Sequence, residues 1–281
     1  MANFKSYTKL LRISDARGYF LLALFGFLLA KGFLFPFKDI TFFWAIVFLV
    51  AGFGFSINDC FDQREDKLDK TKKNPIVLKE IGFRRALTFS LLLAFFGLFL
   101  SSLYGLAVFL LCLASIVLTL FYSSPPLRWK SKPPFDLISH GFFGGPLIFF
   151  LPLLFFKTQL NPFYYLIAFS AFYFSVFLEL RNEDEDYQTD KIAELKTTAH
   201  ILGKQITEKL LRFSAIFYPF FLFLIFYLFL PVFLSLFFAL TLIFLTLFLF
   251  FEKHKLVKNY KLFDGYNILA YGLILVAVLL K

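Results

Sequence analysis

Asn58-Asp59-Cys60-Phe61-Asp62-Gln63-Arg64-Glu65-Asp66-Lys67-Leu68-Asp69 and the run from Glu179 to Asp190 each emerge directly from a long apolar segment. Most of the acid of a greasy, basic chain is concentrated in these two places. Carboxylates are expensive beside a membrane core, so their default meaning there is functional. Two carboxylate clusters facing one cavity can hold divalent cations and, through them, a polyphosphate. At about 100° per residue, a helix would gather Asn58, Asp59, Asp62, Asp66 and Asp69 within roughly a third of its circumference. Arg64 and Lys67 would point away. Carboxylates at i,i+4 repel unless a cation lies between them. Magnesium takes oxygen ligands, usually one or two carboxylates plus substrate phosphates, and keeps several waters. In the second stretch Glu179, Glu183, Asp186, Asp190 and Glu194 form one stripe, with Asp186 and Asp190 as the metal face and Glu183 behind them. Asp184 and Glu185 read as solvent-facing charges and, like Glu65 in the first stretch, as bystanders. Glu179 still lies inside the apolar span, which predicts a cavity-facing position and a partner.

The elements that position these residues are membrane helices. Hydrophobic residues make up 59% of the 281 and the mean hydropathy is +0.75. Apolar runs near the roughly 20 residues needed to cross a bilayer recur along the whole length. Spans are predicted at 19–36, 40–57, 86–103, 105–122, 136–156, 162–180, 208–229, 231–251 and 264–280. The expected fold is therefore an all-α membrane protein, a bundle of about nine transmembrane helices around a central cavity. It forms a single polytopic domain over 1–281, with its acidic motif regions at 58–75 and 179–203. Pro36, Pro162 and Pro231 sit at span edges, whereas Pro146, Pro152 and Pro219 predict kinks.

A net charge of +10 would suit nucleic acid, but the cations are confined to loops, as the positive-inside rule expects, so no nucleic-acid partner is inferred. Of the 29 Lys and Arg, only Lys31, Lys38, Lys157 and Lys281 fall on one side. The rest accompany segments 1–18, 58–85, 123–135, 181–207 and 252–263. This predicts an integral protein of the cell membrane with its N-terminus, both acidic loops and the open end of the cavity cytoplasmic. The 47 Phe read first as nucleotide bias. Cys60, in the acidic loop, and Cys112, mid-span, suggest neither a disulfide nor a metal site. The basic N-terminus leads into a full span and lacks a signal-peptide cleavage pattern. The acidic stretches, about 120 residues apart, hint at an internal duplication.

Three motifs in register carry a family resemblance. Asn58-Asp59-x-x-Asp62-x-x-x-Asp66 after the second span resembles the first aspartate-rich motif of the UbiA superfamily of intramembrane prenyltransferases. Tyr122-Ser123-Ser124-Pro125-Pro126-Leu127-Arg128-Trp129-Lys130 resembles its tyrosine-serine-proline loop. Asp186-x-x-x-Asp190, followed by Lys196-Thr197-Thr198 and Leu202-Gly203, resembles its second motif. The resemblance covers essentially the whole chain. Glu194 stands where the family commonly has glycine, Asn182 where aspartate is frequent, and Lys70 to Pro75 follows the usual pattern only loosely.

The resemblance implies a Mg2+-dependent transferase of isoprenoid biosynthesis, moving an isoprenyl group from an isoprenyl diphosphate to a lipophilic or aromatic acceptor within the lipid bilayer. It implies Asp59, Asp62, Asp66, Asp186 and Asp190 as metal ligands. Asp62, Asp66, Asp190, Arg128 and Lys130 would be catalytic, and Asn58, Lys73, Tyr122, Arg128 and Lys130 would bind substrate. Aromatic faces such as Tyr122 can stabilise an allylic cation, and burial keeps water from quenching it. Pro125-Pro126 and Thr197-Thr198-Ala199 resemble members acting on non-quinone isoprenoids. Rival readings are another lipid phosphotransferase, whose glycine-arginine-containing aspartate motif is missing, and a cation transporter, whose site would be nearer the midplane. Asp136 and His140 read as a satisfied interfacial pair or part of an acceptor site. His200 and His254 read as ordinary loop or helix-end residues, and Asp264 and Asn267 as caps or cavity lining.

Overall fold

The computed structural model describes residues 4–32, 37–69, 72–251 and 260–279. Pro36, Lys70, Thr71, His254 and Lys281 lie outside the described residues, as does the side chain of Asp264. The elements among the described residues are all helical: α1 (Phe4–Leu10), α2 (Arg17–Lys31), α3 (Phe37–Phe61), α4 (Gln63–Leu68), α5 (Phe83–Ser102), α6 (Leu106–Ser123) and α7 (Phe135–Gly144). There follow α8 (Pro146–Phe155), α9 (Pro162–Glu185), α10 (Tyr187–Ile192), α11 (Thr198–Leu202), α12 (Lys204–Phe229), α13 (Val232–Phe251) and α14 (Tyr260–Leu279).

Every apolar run is a helix or a pair of helices. Six helical segments among the described residues are long and apolar enough to cross a membrane: Phe37–Phe61, Phe83–Ser102, Leu106–Ser123, Phe135–Phe155, Pro162–Glu185 and Lys204–Leu228. The protein is an integral membrane protein. Large apolar side chains stay exposed on the outer faces, among them Phe95, Phe99, Phe213 and Phe237, where lipid rather than water is their solvent.

Local chemistry sets the ends. Asn161 caps α9 by accepting from the Phe163 N–H at 3.0 Å, with Pro162 in the first turn, where a missing N–H costs nothing. Gly105 precedes α6 at φ +112°, a conformation other residues resist. The run expected as one span at 136–156 is two helices, α7 and α8, broken at Gly145. Pro146 supplies no N–H to continue α7. The break lies against α9: a Cβ on Gly145 would meet the Ala171 carbonyl at 2.7 Å, and one on Gly144 the Ser175 hydroxyl at 2.4 Å.

Four apolar clusters pack the helices, two of them spanning the helices around the cavity. One joins Phe25, Phe149, Leu153, Ile167, Leu211, Tyr218 and Tyr271 across α2, α8, α9, α12 and α14. The other joins Ala23, Phe43, Ile46, Val108 and Leu151 across α2, α3, α6 and α8. Cys60 is not in a loop: it is buried in α3 with Ser90 Oγ at 3.9 Å. Both cysteines are free.

Candidate active site

Both acidic arms have the same construction. In the first, α3 passes into α4 through Asp62, and in the second, α9 passes into α10 through Asp186. The i→i−4 ladder crosses each joint, with Asp62 N to Asn58 O at 2.9 Å and Asp66 N to Asp62 O at 2.9 Å. The second joint gives 2.8 Å from Asp186 N to Asn182 O and 2.9 Å from Asp190 N to Asp186 O. Helical phasing therefore survives both bends.

The arms meet at one end of a cavity of about 870 Å3. Asn58, Asp62, Asp66, Asp69, Asp186 and Asp190 line that end, with Lys72 and Lys130. The rest is apolar, with Leu28, Val47, Leu111, Ile148 and Leu151 on its wall. Ligand cavities of this size are mostly apolar with a few placed polar groups.

Cations hold the first arm. Lys130 donates to Asp62 Oδ1 in a contact where both side chains are about nine-tenths buried. Arg128, held at φ +39°, donates to Glu65 and to the Phe61 carbonyl at 3.3 Å, and stands 3.8 Å from Asp62. Asn74 donates to Asp66 at 2.8 Å and to the Asp59 carbonyl at 2.8 Å, tying the loop to α3. Burial, together with the nearby Asp62 charge, raises the Asp66 carboxyl above its ordinary value despite the Asn74 bond.

The second arm is barer. Lys72 reaches Asp186 at 3.3 Å. Asp190 has no side-chain hydrogen bond among the described residues. Burial first, then the charges of Asp186 and Glu179 against the opposing pull of Lys130, pushes its carboxyl up to about 7. Glu183, which also lines the cavity, and Asp136 fasten α11: Glu183 accepts from the Ala199 N–H at 2.8 Å, and Asp136 from the Thr198 N–H at 2.6 Å.

Several expectations change. Asp59 is 2% exposed and does not line the cavity; it faces Arg12, whose Nη1 is 3.5 Å from Oδ1. Glu65, expected to be a bystander, lines the cavity instead. The two sit on opposite edges of the stripe, about 60° either side of Asp62, and the cavity lies on the Glu65 side. Lys73 is exposed and Lys72 takes the place expected for it. Arg128 reaches the arm from outside the lining. Glu185 lines the cavity, while Asp184 pairs with Lys204 at 3.5 Å. Glu194 leaves the stripe because α10 ends at Ile192; it sits at φ +62°, the region glycine favours. Asp136 and His140 do not pair with each other: His140 faces Glu179 and Ser175.

Arg12, Lys72, Ser175 and the Tyr122–Glu179 contact also belong to the lining. Arg12 had no sequence signal beyond a basic amphipathic start. Glu179 was legible as an acid inside a span, but its partners were not.

Among the described residues no three His, Cys, Asp or Glu side chains converge into a ready cation cage. The donors at the mouth are all oxygens, which suits a hard cation completed by water and phosphate.

The UbiA prenyltransferase family matches residues 19–264, and the chain belongs to that family. It is a membrane prenyltransferase of the UbiA type. Digeranylgeranylglyceryl phosphate synthase of Saccharolobus solfataricus is 29% identical over 209 residues, 72% of this chain and 70% of that protein. The synthase of the same name from Methanococcus maripaludis is 35% identical over 123 residues, 43% of this chain and 44% of that protein. A UbiA homologue from Archaeoglobus fulgidus, solved bound to GPP and Mg2+, has the same fold. Its TM-score is 0.75 at 21% identity, with 96% of this chain and 99% of that one covered.

Proposed function

We propose that this prenyltransferase moves an isoprenyl group from its diphosphate onto the free hydroxyl of a glyceryl phosphate that already carries one isoprenyl chain, using Mg2+. The observation that carries this is the meeting of two carboxylate arms at the polar end of a long apolar cavity. Such a cavity suits one ligand type: a greasy tail with a polyanionic head. The relatives that make digeranylgeranylglyceryl phosphate support the acceptor, and the A. fulgidus homologue bound to GPP and Mg2+ supports the donor and the ion.

Asp62, Asp66, Asp186 and Asp190 are the proposed magnesium ligands. When bound, the ion neutralises the diphosphate and acts as a Lewis acid on the departing oxygen. Lys130 and Lys72 receive the negative charge that develops on the diphosphate, while Arg128, outside the lining, holds Glu65 and the Phe61 carbonyl behind them. Asn58, which accepts from Ser123 Oγ at 3.1 Å, orients the head at the joint of the first arm. Tyr122 presents its ring where an allylic cation would form. Asp59 and Lys73, outside the lining, are proposed to support the arm rather than to touch substrate. The whole chain, 1–281, acts as one domain. Its Lys and Arg asymmetry supports a cytoplasmic mouth and N-terminus.

The test uses the purified full chain in nanodiscs with labelled geranylgeranyl diphosphate and Mg2+. The acceptors are a mono-isoprenyl glyceryl phosphate and an aromatic hydroxy acid. The expected product is a doubly prenylated glyceryl phosphate that disappears with EDTA. Product from the aromatic acid alone would overturn the acceptor.

A further inference from the structure

A hydroxyl acceptor must lose its proton as its oxygen bonds to the allylic carbon, so a base has to stand near that carbon. Asp62 and Asp66 at the mouth are already engaged by Lys130 and Asn74. Glu179 lies further along α9, about 10 Å of helix before Asp186. Its side chain is 9% exposed and lines the cavity beyond the metal end. Tyr122 donates its hydroxyl proton to Glu179 Oε1. His140 Nε2 lies 3.5 Å from Glu179 Oε2.

The protons on this chain can be counted. Ser175 Oγ has one hydrogen, and it is directed to the His140 carbonyl oxygen at 2.9 Å. His140 Nδ1 then faces only acceptors, the Ser175 carbonyl at 3.2 Å and the Ser175 hydroxyl lone pair at 3.1 Å. Nδ1 must therefore carry the ring hydrogen, because a lone pair there would face two others. In the neutral ring, Nε2 presents a lone pair to Oε2 of a carboxylate whose other oxygen is satisfied by Tyr122. Two acceptors face each other with room for one proton between them.

We propose that Glu179 and His140 together form the general base that takes the acceptor's hydroxyl proton. The inference rests on the hydroxyl acceptor proposed above and makes that hydroxyl the chemical class the site selects. The acceptor oxygen forms a C–O bond to the allylic carbon with one lone pair. The bond from that carbon to the diphosphate oxygen breaks, and its electron pair leaves on the diphosphate. The O–H proton passes to Glu179 and settles between Oε2 and Nε2. Tyr122 fixes the carboxylate, and Ser175 fixes the imidazole tautomer as a positioning residue.

The test compares the hydroxyl acceptor with its thiol analogue, whose proton leaves far more readily. Glu179→Gln is expected to lower kcat for the hydroxyl acceptor by about 100- to 10,000-fold, the usual worth of a positioned base. The thiol should lose less than about 10-fold, because a more acidic acceptor needs less help. The Mg2+ half-saturation and the KM for the donor should not move. His140→Gln should show the same selectivity at smaller size, and Glu179→Asp should recover part of the loss. Equal losses for both acceptors in Glu179→Gln, or in His140→Gln if the first variant does not fold, would overturn the base. A wild-type protein inactive on the hydroxyl acceptor would sink the acceptor reading and this inference with it. An active wild type without the selectivity sinks the inference alone.

Discussion

The two acidic arms share a plan and differ in how their charge is answered. Each is a membrane helix that bends at an aspartate into a six-residue helix. In the first arm the protein supplies counter-charge and donors from four directions: Arg12 to Asp59, Lys130 to Asp62, Arg128 to Glu65 and Asn74 to Asp66. In the second, Lys72 answers Asp186 and Lys204 answers Asp184, but Asp190, which lines the cavity, feels Lys130 only at a distance and has no side-chain hydrogen bond among the described residues. A buried ion pair with both partners present is tolerated, whereas a buried carboxylate without one is expensive. Four acids of the first arm thus each have a direct partner, although burial still raises Asp66, whereas Asp190 has no direct partner and depends on the cation that the cavity admits. Geometrically the arms are near-duplicates, but electrostatically they are a holder and a receiver.

The largest expected effect comes from deleting a carboxylate on either side. Asp190→Ala and Asp62→Ala should each lower kcat by at least about 100-fold in a diphosphate-release assay, the scale on which one electrostatic partner of developing charge counts. The comparison sharpens with the isosteric amides. Asp190→Asn should raise the Mg2+ concentration for half-maximal activity by more than Asp62→Asn does, because Lys130 already offsets Asp62. Equal shifts in a metal titration would erase the distinction between the arms.

A smaller effect is set by pH. The Asp190 carboxyl is held up to about 7 against an ordinary 3.8, so the folded protein retains a proton that the unfolded chain has released. Without metal, the resulting penalty on stability begins near the ordinary value and is complete above about pH 7, so Tm should fall as pH rises through that window. A bound cation removes the penalty. The gain in Tm from Mg2+ should therefore be greater at pH 8 than at pH 6, as thermal unfolding of the protein in detergent would show. A gain independent of pH would mean that Asp190 is not the receiving group.

The smallest effect concerns an exposed ion pair between the arms, Arg64 to Glu194 at 3.0 Å. Both side chains are mostly exposed. Arg64→Ala should change stability by less than about 1 kcal/mol, as exposed pairs do, and leave Mg2+ dependence unchanged. A large loss of Mg2+ affinity would show that the arms need this tie to face each other.

Periodicity and apolar run length made the helices, the two arms and the carboxylate stripes legible, because hydropathy and a 100° repeat are local properties. The phase of each stripe relative to the cavity was not local. Asp59 and Glu65 are equivalent flanks on a helical wheel, and only packing against α1 and the following loop decided which one is sealed against Arg12. The same limit explains Lys72 and Lys73: between Asp69 and Pro75 the backbone is irregular, so neighbouring lysines have no predictable facing. The break at Gly145 was hidden inside a continuous apolar run, in which Pro146 announced a kink but not the close approach of α9. Glu194 illustrates the converse. Its departure from a family glycine was visible in the sequence, and its positive φ gives the physical reason that glycine is common there.

The glycines of α7 have a consequence for how this chain can drift over generations. A Cβ on Gly141 would stand 2.6 Å from the Phe172 ring, and the equivalent atoms on Gly144 and Gly145 would collide with Ser175 and the Ala171 carbonyl. A single methyl group meets such contacts at three places within five residues, around the end of α7, all on the side that packs against α9. The most innocuous replacement in the genetic repertoire, glycine to alanine, is therefore among the least tolerated here. Across any lineage of working variants these three positions should stay fixed, while the lipid-facing phenylalanines around them turn over freely.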